Sequence, residues 1–215
     1  MKTLTSGILG SVGILVLTFM ACSSESKSTE STDGVDVVGP SFKVEKEDTK
    51  DDHPKGGINW VEFNDLPQLM EEEPRKVIID FYTNWCGPCK MMASQTFTDP
   101  VIVSYINENY YAIKFNAEGG DSVQFKGKTF INPEFDAGKR GRNSVHQITY
   151  YLATVNGRIA YPTTVYLTEE LELITPIQGF LAADRIEPIL HYFKNDTYKT
   201  QPNFDEYLKT FKSSY

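Results

Sequence analysis

The chain has 215 residues, enough for one sizeable domain plus appendages and a core that needs no disulfide staples. Hydrophobic residues make up 40% and charged residues 23%, as in an ordinary globular protein. A net charge of −8 argues against nucleic acid as a main partner, because phosphate binding needs a basic face.

The first segment, "MKTLTSGILGSVGILVLTFMAC", has one cation, Lys2, then an apolar run from Gly7 to Met20. That run is short for a membrane-spanning helix and has the anatomy of a secretory signal peptide over 1–21. Cys22 after Ala21 resembles the lipobox of bacterial lipoproteins, with Phe19 and Met20 where the usual pattern has leucine and a small residue. The resemblance implies cleavage before Cys22, lipidation of its sulfur and a membrane anchor facing the periplasm of a bacterial cell envelope. Ordinary secretion into the periplasm or medium is the alternative. Residues 22–55 are rich in Ser, Thr, Asp, Glu and Lys and read as a flexible polar tether.

From 56 to 215 the composition is that of a folded domain. "FNDLPQLMEEE" predicts a short helix capped at Asn64. "KVIIDFYT" predicts a buried strand leading into "NWCGPCKMMASQ", a helix that starts beside Cys86. "TDPVIVSYINEN" predicts a helix capped by Asp99, with Pro100 first and Val101, Ile102, Tyr105 and Ile106 on one face. "YYAIKF" is a second strand, and the strand-helix-strand order predicts a parallel pair. The stretch from about 118 to 142 reads as an insertion, with a hairpin about Lys126-Gly127. "RNSVHQITYYLA" predicts a helix facing inward through Val145, Ile148 and Leu152, with His146 on its surface and Tyr150 and Tyr151 in core or rim. "YPTTVYLT" and "LELITPI" predict an antiparallel pair. "AADRIEPILHYF" closes the domain with Pro188 near the helix start, and about 195–215 forms a helical extension.

The chain has three cysteines, and two of them bracket Gly-Pro in "NWCGPCK". A zinc site needs a full ligand set. Beyond Cys22 only this pair and His53, His146 and His191 remain, without a second C-x-x-C, so no metal is expected. A structural disulfide between such close positions would restrain the unfolded chain little. A redox couple needs only what is present: C-x-x-C after a strand, at the head of a helix. The helix N-terminus favours anionic sulfur, which makes Cys86 the attacking thiolate and Cys89 the more buried thiol. Asp80, inside "VIIDFY", is costly to bury without a task or partner.

"VIIDFYTNWCGPCK", "KFN" at Lys114–Asn116 and "YPTTVYL" together resemble the thioredoxin superfamily over roughly 58–194. The run "WCGPCKMMASQTFTDPVI" is similar to thioredoxin-like lipoproteins and to the C-terminal domain of the thiol:disulfide interchange protein. The resemblance implies an α/β thioredoxin fold: a central mixed sheet flanked by helices, with an insertion before the cis-proline strand. It implies that Cys86 and Cys89 exchange a dithiol for a disulfide, with Asp80 as proton acceptor for Cys89 and Lys114 modulating that acid. Trp85, Gly87, Pro88, Tyr161 and Pro162 would meet substrate. A cis Tyr161–Pro162 bond would leave the Tyr161 backbone open to an extended partner segment. "GKRGR" at 138–142 reads as a solvated turn, with recognition of an acidic partner as the alternative.

No cofactor is implied beyond the cysteine pair, and the partners would be protein disulfides plus a separate protein electron donor or acceptor. Gly-Pro is the thioredoxin-type dipeptide. Thioredoxin sits at about −270 mV and the strong oxidant of the same fold at about −120 mV, which favours a reductase or isomerase. An oxidase, or a binding module with a passive disulfide, stays open.

Overall fold

The computed structural model describes residues 57–215, so the expectations for the leader, the tether and Cys22 lie outside the described residues. The centre is a four-stranded sheet in the order β2-β1-β5-β6, with β1 Lys76–Tyr82, β2 Tyr110–Asn116, β5 Thr163–Leu167 and β6 Leu173–Gln178. β1 pairs parallel with β2 and antiparallel with β5, and β5 pairs antiparallel with β6. This is the mixed sheet of the thioredoxin fold, flanked by helices on both faces. Every residue of β1 is buried, as a central strand covered on both sides requires.

Side-chain alternation divides the core. Val77, Ile79 and Phe81 pack with Ile113, Phe115 and Val165 toward α4 (Gln147–Ala153), α1 (Leu66–Glu72) and the hairpin β3 (Val123–Phe125) and β4 (Lys128–Phe130). Ile78, Ala112 and Tyr166 pack the other way, toward α3 (Pro100–Asn109) and α5 (Ala183–Lys194). Each large apolar side chain buried here contributes about 1.5–3 kcal/mol. Asp99 caps α3 by accepting from Val101 N–H and Ile102 N–H, and Pro100 opens the helix, where no donor is lost. The hairpin turns at Lys126 and Gly127, both at positive φ, a conformation that suits the glycine.

Several expectations are corrected. Asn64 does not cap α1; its Oδ1 accepts from Gln124 N–H and its Nδ2 donates to Ser122 O, so it ties down β3 instead. Val101 is exposed, because the buried stripe of α3 runs through Ile102 and Ile106. Val145 precedes α4 rather than lying on it. His146 is fully buried at the N-cap of α4, not on a surface, while Tyr150 and Tyr151 are exposed. Pro188 is the sixth residue of the twelve in α5, well inside the helix. The extension holds two short helices, α6 (Thr197–Thr200) and α7 (Phe204–Leu208), whose aromatic residues pack on the α5 side.

Candidate active site

β1 delivers the chain through Thr83, Asn84 and Trp85 to Cys86, which caps α2 (Gly87–Met91). Cys86 and Cys89 form a disulfide with S–S 2.04 Å. Cys86 Sγ also accepts from the Cys89 N–H at 3.1 Å, so the helix start directs a donor at this sulfur. α2 continues into a turn of π-helix, Met92–Thr96. Thr96 Oγ1 donates to Leu181 O at 2.6 Å, fixing the cysteine helix to the segment after β6.

The predicted contrast in burial between the sulfur-bearing residues is slight. Cys86 is 3% and Cys89 1% exposed, because Tyr82 and Tyr161 pack against both. What stays open is the turn in front of them: Gly87 and Pro88 are exposed, and a side chain at Gly87 would meet nothing within 4 Å.

Asp80 is 1% exposed and lies two residues before Tyr82, on the sheet face that carries the disulfide. Its ladder partners are Lys114 on β2 and Thr164 on β5. Lys114 Nζ stands 4.7 Å from the Tyr82 ring centroid, and Tyr82 packs with the disulfide. Burial pushes the Tyr166 phenol up, and the Asp80 carboxylate adds to that shift. The structure thus pairs Asp80 with Lys114 across the sheet and packs Tyr82 and Tyr161 with Cys86 and Cys89.

The Tyr161–Pro162 bond is cis. Pro162 O accepts from Gly179 N–H at 2.8 Å, and Tyr161 turns its ring toward the cysteines and meets Trp85 edge-on at 5.9 Å. Burial pushes the Tyr161 phenol far up, with the charge of Glu118 adding to it.

Sequence reasoning missed Glu118 and the role of the residues around it. Glu118 is buried, and its Oε2 accepts from both Trp85 Nε1–H at 3.0 Å and Asn143 N–H at 2.8 Å. Arg142, assigned to a solvated turn, stacks its guanidinium 4.1 Å from the Trp85 ring centroid. The insertion therefore closes on the tryptophan beside the disulfide. Asn132 holds it there, donating to Gly119 O and Ser144 O and accepting from Ser144 Oγ. Gly120 lets it fold tightly, since a Cβ there would sit 2.4 Å from the Phe135 ring. The available signal was a carboxylate directly after the "KFNA" strand end, where the tryptophan loop must pack.

Among the described residues no three His, Cys, Asp or Glu side chains gather as a metal-binding group, and no helix is long and apolar enough to cross a membrane.

Residues 63–194 match the family described as Thioredoxin-like domain. The chain is 34% identical over 55 residues to the chloroplastic thioredoxin Y2 of Arabidopsis thaliana, covering 23% of this chain and 33% of that protein. It is 39% identical over 51 residues to the thiol:disulfide interchange protein DsbD of Photorhabdus laumondii, covering 23% of this chain and 8% of that protein. The first curated relatives are thus matched over only about a third of their length. The reduced C-terminal domain of DsbD from Neisseria meningitidis aligns at TM-score 0.37 and 21% identity, over 60% of this chain and 89% of that one.

Proposed function

This chain belongs to the thioredoxin-like domain family, and from that premise we propose that it is a protein thiol:disulfide oxidoreductase acting outside the cytoplasm as a reductase or isomerase. The observation that carries the reading is the Cys86–Cys89 disulfide at a helix start, behind an exposed Gly-Pro turn. In the reduced form Cys86 is the thiolate, favoured by the Cys89 N–H and the helix start. It attacks one sulfur of a partner disulfide; a mixed disulfide forms and the partner's other sulfur leaves as thiolate. Asp80 takes the Cys89 proton, directly or through water, and the Cys89 thiolate attacks Cys86 Sγ. The Cys86–Cys89 bond forms, and the partner leaves with two electrons and, after protonation, two thiols. A separate dithiol protein must restore the reduced pair.

Trp85, Gly87 and Pro88 offer the partner an exposed surface, with half-buried Tyr161 beside them and buried Pro162 behind, and Lys114 biases the ionisation of Asp80. The leader and Cys22 are consistent with a lipid anchor on the cell envelope and a domain that faces the periplasm.

Reduced protein should accelerate insulin reduction by dithiothreitol, and Cys86→Ser should abolish the gain. A wild-type rate equal to buffer ends the reading. Equilibration with glutathione sets direction: a potential near about −270 mV supports a reductase, and one near about −120 mV makes the protein an oxidase. Cys89→Ser should hold mixed disulfides with its partners in native envelopes.

A further inference from the structure

Two of the groups that reach Trp85 hold the ring in place, namely the Glu118 carboxylate on Nε1 and the Tyr161 ring on its edge. The third, Arg142, brings a cation to the rim of the disulfide site. A guanidinium lying over an indole gains cation–π attraction while its in-plane N–H groups still project sideways, where a carboxylate can take two of them. Arg142 is exposed, and among the described residues it forms no ion pair.

Its neighbours are pinned. Asn143 N–H donates to Glu118, Asn143 Nδ2 donates to Asp136 O, and Asn143 Oδ1 accepts from the backbone of Asp136 and Ser144. A charge held on a fixed backbone loses less freedom when a partner engages it. Lys139 and Arg140 lie on the same segment, but Glu134 and Asp136 share it and offset them. Arg142 differs because the tryptophan stack fixes where its charge sits. In a chain of net charge −8, an acidic partner is repelled by most of the surface, so a cation at the rim decides whether it is admitted.

We propose that Arg142 is a specificity-determining residue that selects protein disulfides carrying a carboxylate side chain beside the attacked cysteine. This rests on the exchange reading above, and the test separates the two. Disulfide peptides that differ only in a Glu, Gln or Lys next to one cysteine are mixed with pre-reduced full-length protein, and second-order exchange rates are measured at low and high ionic strength. Wild type should prefer the Glu peptide over the Gln peptide by about three- to fivefold at low salt, disfavour the Lys peptide, and lose most of the preference in high salt. The Glu/Gln ratio should fall toward unity in Arg142→Gln and stay above it in Arg142→Lys. An equal ratio in wild type and Arg142→Gln, or no wild-type preference, overturns the proposal. Fluorescence-anisotropy binding of the same peptides with serine in place of cysteine gives the ratio without chemistry. Absent exchange with an Arg142-dependent binding preference would sink the redox reading and sustain the selection. Loss of the preference in both measurements would sink the selection whatever the exchange rates.

Discussion

The insertion and the C-terminal extension both wrap the same domain, with a different balance of contacts. The insertion is held by hydrogen bonds to Glu118, Asn132 and Asn143, which fix direction as well as distance. The extension adds a cluster of rings to its polar ties with Glu187 and Lys76: Tyr192 has the rings of Phe204 and Tyr207 within 5.0 Å of its centroid, and its hydroxyl donates to Gln201 O. Non-directional packing contributes stability but tolerates small shifts, whereas a polar network has few allowed geometries. The directional device sits beside the disulfide, where position matters, and the packed device lies against α5.

The largest expected effect removes the aromatic hub. Tyr192→Ala should cost about 3–5 kcal/mol and lower the melting temperature by about 10 °C, while exchange per folded molecule stays near wild type. Calorimetry and insulin turnover on one sample check both halves, and a matching loss of turnover would erase the contrast. Asn132→Ala removes three hydrogen bonds in the insertion and strands buried acceptors, at a cost of about 2–3 kcal/mol. Here turnover should fall with stability, because Trp85 and Arg142 lose their frame. Glu118→Gln should cost only about 1–2 kcal/mol yet shift Trp85 fluorescence, an effect with no parallel for any substitution in the extension.

The smallest effect is pH-dependent. His146 caps α4 as a neutral ring: Nδ1 accepts from Ile148 N–H, and Nε2 donates to Asp121 O at 2.7 Å. Burial holds its pKa below the ordinary value of 6.5. The unfolded chain therefore takes up the proton first as pH falls. The stabilisation is complete above about 6.5 and is lost as pH drops from there through the folded value. His191, stacked 4.0 Å from Tyr105, is lowered by burial in the same sense. Urea titrations at several pH values should show stability declining below about 6.5, and His146→Asn, which keeps a cap acceptor without titrating, should remove the part of that decline due to His146.

What was legible in the sequence follows the range of the interactions. Asp99-Pro100 and Lys126-Gly127 act on their immediate neighbours, and both did what their chemistry predicts. The buried strand, the cysteine at a helix start and the parallel pair were equally local patterns. Asn64 is a good cap by composition, but a strand sixty residues away claims its side chain. His146 reads as polar and therefore exposed, although two backbone partners satisfy both ring nitrogens inside the core. The stacking of Arg142 on Trp85 joins segments with no shared pattern, so nothing in either one announces it.

One oxygen of Glu118 receives the Trp85 indole proton and the Asn143 amide proton together. Both protons are visible by nuclear magnetic resonance, and they report on the tryptophan and on the insertion through a single acceptor. A partner that draws that oxygen toward one of them lengthens the other bond, so the two resonances should move in opposite directions on engagement. The pair is a built-in differential gauge, free of any added label.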